Sequence, residues 1–400
     1  MNTFFRLPAF SFKTEKQKQN LALAIWLLAT VFCVVQSLIT HRYNNYLIFE
    51  NTVRNLFAQQ SLYADYPQYH FDSNHYGPVF SVFFMPFAAF PTAIGFLLWN
   101  IFNCLVLFWA LATIPVKKHS LLYFIVIPCF VSASLSQQFN PAAGAFIILS
   151  YTLLNKNKGF WSAMLIMLGA FIKLYGIVGL AFFFFVKDKK RFVLYLLLWG
   201  VFFFALPMLF SSPAFIVNSY RDWAVSLAHK NANNIAEAST DISIMGFIRT
   251  VFTTQAIPNS VFLLIGIGLF GLPYLNFKAY KKQRFQLYVL ASVLLFPVLF
   301  STGSEDCTYI IAATGIGLWH IYAQSDKLKR VVFIVIYIFS CDFPLLLFPK
   351  LASAHPILLS MMSVPFFVIW LLIIYEATTL KKEESHYDDQ LNGLQMSTLL

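Results

Sequence analysis

Charge is scarce in this sequence. Asp, Glu, Lys and Arg make up 11% of its 400 residues, against about 25% in an ordinary soluble domain. No polar block is long enough to house a soluble unit, which excludes a cytosolic multidomain protein and a disordered chain. Five cysteines without a C-x-x-C pair or a His at metal spacing exclude a disulfide scaffold and a zinc module. The Gly-rich loop that cradles nucleotide phosphates is missing. So is any D-x-D pair, and the adjacent Glu305 and Asp306 diverge on a helix, so neither a metal nor another cofactor is expected. The sequence carries no evident inverted repeat of the transporter kind.

Apolar residues fill the chain instead, at 59% of the total with 46 Phe. Apolar runs predict spans at 21–40, 92–114, 120–136, 140–154, 160–186 (as two short helices), 192–210, 258–276, 284–300, 307–323, 331–347 and 357–377. Segment 78–91, broken by Pro78, Pro86 and Pro91, reads as a half-buried helix rather than a crossing. The expected fold is all-α: a polytopic transmembrane helix bundle of roughly twelve crossings over 21–377, flanked by a basic segment 1–20 and a polar tail 378–400. The first run follows Arg6, Lys13, Lys16 and Lys18 and carries no small-x-small cleavage site, so it reads as a retained signal anchor. Cys33, Cys104 and Cys129 lie inside apolar runs as small hydrophobes. Cys307 and Cys341 face the outer side, where a disulfide between them is possible but has no support from spacing.

The net charge of +11 is explained by where the basic residues fall. Six of the 28 Lys and Arg (Arg42, Arg54, Arg221, Lys230, Arg249 and Lys350) lie in outer segments, and Lys173 sits inside an apolar run. The others cluster at the N-terminus and at 117–118, 156–158, 187–191, 278–284, 327–330 and 381–382. This is the positive-inside pattern. It puts both termini in the cytoplasm, makes a lipid bilayer the partner, and removes the case for nucleic acid. Two outer loops, 41–77 and 211–257, are long, and long loops tend to be functional. The first holds six Tyr, three His and three acids. Interfacial anchoring accounts for such a composition, and so does a surface for sugar rings.

The stretches N-N-Y-L-I-F (44–49), S-L-Y (61–63), H-Y-G-P (75–78), M-P-F (85–87) and L-L-W-N (97–100) resemble the opening of glycosyltransferase family 87. Q-x-N (138–140), F-I-K (171–173) and S-E-x-x-T-Y (304–309) resemble its later landmarks, so that the similarity covers roughly residues 20–320. That family groups polyprenol-phosphate-mannose-dependent mannosyltransferases with many bacterial membrane proteins. The resemblance implies a GT-C fold in the bacterial plasma (inner) membrane. It implies transfer of a mannose-like hexose from a polyprenyl-phosphate donor to a lipid or glycan acceptor on the outer face. A non-enzymatic lipid or oligosaccharide carrier, or an inactive relative, is the alternative.

One position departs from the pattern. The family commonly has Asp where this chain has Asn45, and an inverting transfer needs a carboxylate to deprotonate the acceptor hydroxyl. Asp72 is the first substitute and Glu305, at a span entrance, the second; Asp65 and Glu50 follow. An Asx turn or helix cap is the ordinary alternative for Asp72. Lys173, in LIMLGAFIKLYGIVGLAFFFF, falls at the tip of the hairpin formed by 160–172 and 174–186, where it can meet the donor phosphate. The competing readings are snorkelling or a pair with a carboxylate such as Asp306. His75 and Arg249 are candidate phosphate ligands, with interfacial His and headgroup anchoring as the alternatives. Asn45, Tyr76, Gln138 and Asn140 complete the expected substrate-binding set.

Overall fold

The computed structural model describes residues 14–117, 119–236, 241–252, 257–323, 327–340 and 356–380. Arg6, Lys13, Lys118, Glu237, Cys341, Asp342, Lys350 and the tail 381–400 lie outside them. Among these residues helices are the only regular secondary structure, with no strand. Four helices are long and apolar enough to cross a membrane: Glu15–Ile39, Thr92–Thr113, Lys189–Leu209 and Ile357–Thr379.

Every sequence-predicted span falls on a helix where it is described; 341–347, the end of the predicted span 331–347, lies outside the described residues. The elements are α1 (Glu15–Ile39), α2 (Asn44–Ala58), α3 (Pro78–Ala88), α4 (Thr92–Thr113), α5 (His119–Leu135), α6 (Asn140–Asn155) and α7 (Gly159–Ile172). After α7 comes a 3-10 helix, Leu174–Phe185, then α8 (Lys189–Ala205), α9 (Pro213–Ala236), α10 (Ile244–Val251), α11 (Asn259–Gly271), α12 (Gln283–Leu299) and α13 (Tyr309–Ala323). The series closes with α14 (Lys327–Ser340), α15 (Pro356–Ser360) and α16 (Ser363–Thr379). Segment 78–91 is the expected short helix, opened by Pro78 at its first position.

The core runs along α12 and α13, against which α5, α6 and α16 pack. Phe285 and Leu287–Leu295 of α12 are all buried, as are Tyr309–Ala313 of α13. The outward faces are apolar too. On α8, Val193, Leu194, Leu197, Leu198, Val201 and Phe202 are exposed, an apolar stripe suited to acyl chains rather than water.

The two long connections are more ordered than the sequence reading expected. Within 41–77, Tyr46, Phe49, Val53 and Leu56 recur at helical spacing and are buried on one face of α2. Within 211–257, α9 runs for 24 residues. Both lie at the same end of the bundle: Ser212 donates to Gln59 (2.8 Å) and Trp223 Nε1 to the His75 carbonyl (2.9 Å).

The tip between α7 and the 3-10 helix is drawn tight by glycine. A Cβ on Gly176 would lie 2.3 Å from the Gly169 carbonyl carbon, so only a bare backbone lets the two legs pack this closely. Gly77 does the same for the loop alongside. Its N–H donates to the Ile172 carbonyl at 3.0 Å, and a Cβ there would meet the Phe171 oxygen at 2.1 Å. These contacts set His75 and Tyr76 beside Lys173.

Candidate functional site

A cavity of about 490 Å³ opens at this end of the bundle. It brings together Asn45, Asp72, His75, Tyr76, Gln138, Lys173 and Glu305, which lie far apart in sequence.

Lys173 sits at the C-cap of α7 in extended conformation, where the helix must stop for the chain to turn. Its Nζ donates to Asn140 Oδ1 at 2.7 Å and lies 4.5 Å from the ring centre of Tyr175 and 5.8 Å from that of Tyr76. Asn140, fully buried at the start of α6, passes the contact on. Its Nδ2 donates to Gln138 Oε1 (3.1 Å), and Gln138 Nε2 donates to Glu305 Oε2 (2.7 Å). Lys173 and Glu305 are thus joined through two amides. The Thr308 backbone N–H donates to the Glu305 carbonyl at 2.9 Å and the Glu305 N–H to Thr308 Oγ1 at 3.2 Å, closing the turn that leads into α13. Asp306, the alternative partner for Lys173, instead accepts from Ser132 Oγ at 3.0 Å.

Asp72 lines the same cavity from a left-handed turn (φ 68°), with the Ser73 N–H donating to its Oδ1 at 2.8 Å. The bond reaches the next residue and not the one after it, so it differs from the Asx turn weighed for Asp72. Its two oxygens face His75 Nε2 at 3.7 Å and Lys230 Nζ at 3.6 Å. His75 first, and Lys230 with the Ser73 N–H, hold this carboxyl well below the usual carboxylate range, although its side chain is 56% exposed. At 3.7 Å the His75 contact is an ion-pair distance rather than a hydrogen bond. The other face of the His75 ring is fixed by Ser226 Oγ, 3.0 Å from Nδ1.

The remaining candidates separate. Asn45 lines the cavity, with Nδ2 donating to the Ser136 carbonyl at 2.8 Å. Tyr76 is a buried wall: its ring packs on Phe49 and Phe80, and its hydroxyl accepts the Phe139 N–H at 3.4 Å. Arg249 does not line the cavity. It is buried against Asp241 (3.8 Å), the Ile257 carbonyl (2.9 Å) and the Phe262 ring. Its geometry is that of a clamp on the start of α11 rather than of a phosphate ligand. Glu50 pairs with Arg54 and accepts from Thr92 Oγ1, and Asp65 is exposed on the loop; neither reaches the cavity.

Sequence reasoning missed one wall altogether. Trp223, Leu227, Lys230, Asn231 and Asn234 of α9 line the cavity at positions i, i+4, i+7, i+8 and i+11. The spacing was there to read. A search for apolar runs passes over it because the stripe is half polar. Asn231 Oδ1 accepts from Thr302 Oγ1 and Asn259 Nδ2, both at 2.7 Å, tying this wall to the strip at 301–303.

The cavity is lined by two cations, a histidine and two carboxylates: Glu305 is joined through amides to Lys173, and Asp72 is paired with His75 and Lys230. It can hold an anionic leaving group in the same cavity as a proton acceptor. The family model described as glycosyltransferase family 87 matches residues 74–302, more than half of the chain. Asn45, Asp72 and Glu305 lie outside that match. Comparison with curated proteins and with solved structures gives no match.

Proposed function

Because the chain belongs to glycosyltransferase family 87, we propose that it is a membrane hexosyltransferase moving a mannose-like sugar from a polyprenyl phosphate to a lipid or glycan hydroxyl outside the bacterial inner membrane. The observation that carries this reading is the cavity with Lys173 and Glu305 linked through Asn140 and Gln138. Glu305 takes the proton of the acceptor hydroxyl. That oxygen attacks the anomeric carbon as the bond from the carbon to the phosphate oxygen breaks. The phosphate leaves with the electron pair and is held by Lys173, with Lys230 and His75 nearby.

Glu305 now ranks above Asp72 as base. A carboxylate between two basic groups, with its proton affinity pulled down, is a poor proton acceptor. Asp72 instead orients Lys230 and His75 until a phosphate takes its place. Asn45 is compatible with activity because Glu305, which lines the same cavity, supplies the carboxylate.

The same reading orders the bundle in the membrane. Crossings by α1, α4, α5, α6, α7, the 3-10 helix, α8, α11, α12, α13, α14 and α16 make twelve, with both termini cytoplasmic. The basic connections at 156–158, 187–191, 278–284 and 327–330 support that orientation, each falling at the inner end of a hairpin.

The test is incubation of the full-length protein in lipid nanodiscs with labelled polyprenyl-phosphate hexoses. At least one donor should release its label into a new product, and Glu305→Gln should stop the release. A panel in which no donor binds removes the reading.

A further inference from the structure

A second cavity, of about 730 Å³, adjoins the first. The two share Asn45, Gln138 and Glu305. Resting on the reading above, we infer that this second cavity binds the hexose ring of the acceptor, with Tyr69 and Phe71 as its stacking platform and Glu305 at the opening between acceptor and donor.

Three observations carry the assignment. The first is position. A transfer needs two substrates on opposite sides of one proton acceptor, and Glu305 stands in the shared wall. The second is the rings. Phe71 is 80% exposed and Tyr69 55%, yet their loop is fixed. Asn44 Nδ2 donates to the Phe71 carbonyl (2.6 Å), and the Phe71 N–H donates to Asn44 Oδ1 (2.7 Å). Folding gains little from rings held out in this way, whereas a sugar presents an apolar face that covers a ring. The third is unused hydrogen-bonding capacity. The side chains of Arg42 and Gln68 line the cavity and have no hydrogen-bond or ion-pair partner among the described residues. Polar ends around an apolar platform match hydroxyls around a pyranose. The neighbouring His70 is engaged elsewhere, between Asn51 (3.2 Å) and the Asp72 carbonyl (2.9 Å), and holds the loop in shape. The volume lies within the range of small-molecule sites.

Saturation-transfer NMR on the full-length protein in nanodiscs tests this, with methyl α-mannoside, methyl α-glucoside and methyl α-galactoside as probes. At least one should receive transfer. The double variant Tyr69→Ala/Phe71→Ala, at two exposed positions, should weaken that binding about fivefold or more while still binding polyprenyl phosphate. Lys173→Met should leave the glycoside signal in place. Adding monohexosyl diacylglycerol to the nanodisc separates the two sources of the sugar: loss of the soluble probe's signal assigns a lipid-borne acceptor, and its persistence a free glycan. Absence of transfer to all three glycosides overturns the inference. So does a signal indifferent to Tyr69 and Phe71, which would leave the rings as interfacial anchors, and so does a signal abolished by Lys173→Met, which would put the sugar in the first cavity. If glycoside binding needs the two rings but polyprenyl-phosphate binding ignores Lys173, the donor assignment fails and this one stands.

Discussion

Replacing Lys173 with Met removes one positive charge and one hydrogen bond while keeping an unbranched side chain of similar length. The ammonium donates to Asn140 at 2.7 Å and faces the Tyr175 ring at 4.5 Å, with the cavity on its open side. A phosphate about 4 Å away gains roughly 4 kcal/mol at an effective dielectric of about 20. Truncating one partner of such a pair costs about 2–5 kcal/mol when both are desolvated. The open side lets some water remain, so about 2–4 kcal/mol is expected, equivalent to roughly 30- to 1,000-fold weaker donor binding. Folding should be spared. Asn140 stays held by Gln138, and an apolar chain at a half-buried site avoids the cost of the unpaired charge. The assay is equilibrium binding of radiolabelled polyprenyl phosphate to the full-length protein in nanodiscs, beside a melting curve. Lys173→Arg should recover only part of the affinity, because a planar fork does not reproduce a compact ammonium. A Kd for Lys173→Met within about threefold of the parent, well below the 30-fold lower bound, would refute the reasoning.

Glu305→Gln should lower kcat by about 10²–10⁴ with donor affinity nearly intact, whereas Asp72→Asn should cost less than about tenfold; the opposite ranking in a single-turnover assay returns the role of base to Asp72. Cysteines introduced at Ser61 and Ser385, in a background with Cys341 replaced by Ser, should label from opposite sides of sealed vesicles. The cysteines at 33, 104, 129 and 307 are buried and should stay silent, and labelling of both introduced sites from outside contradicts the orientation. Gly77→Ala forces a Cβ to within 2.1 Å of the Phe171 oxygen and about 3 Å of the Trp223 ring. It should lower stability by about 1–3 kcal/mol, seen as a depressed melting temperature, and shift His75 and Tyr76 away from Lys173; a melting curve matching the parent's speaks against this packing.

The helices were legible because apolar length and proline punctuation carry them, and α3 was placed by Pro78 alone with its two companions. Lys173 stood out because an ammonium in an apolar run needs a reason, and its place at a hairpin tip follows from the run being too long for one short helix and too short for two full ones. The partners of that ammonium were not legible. Nothing in sequence spacing connects Asn140, Gln138 and Glu305 to it, since the link is made by three side chains from different elements. Nor could a sequence rank Asp72 against Glu305, because the order depends on Lys230 of α9, 158 positions away in the chain, which only the fold brings to 3.6 Å from Asp72. Arg249 misled for a related reason. A basic residue at a loop end resembles a ligand until its buried acid, Asp241, is seen beside it.

The 3-10 geometry of Leu174–Phe185 fixes how deep the chemistry sits. At about 2.0 Å per residue its 12 residues reach roughly 24 Å, where an α-helix of that length would reach about 18 Å. Stretching the return leg brings it level with α7, whose 14 residues cover about 21 Å. A hydrocarbon core is about 30 Å thick, so a hairpin rising from the inner face ends several ångströms short of the outer headgroups. On the proposed donor and orientation, the phosphate is drawn down to meet Lys173 or the bilayer thins around the tip. Turnover is then expected to depend on lipid chain length, through hydrophobic mismatch, as well as on the side chains of the cavity.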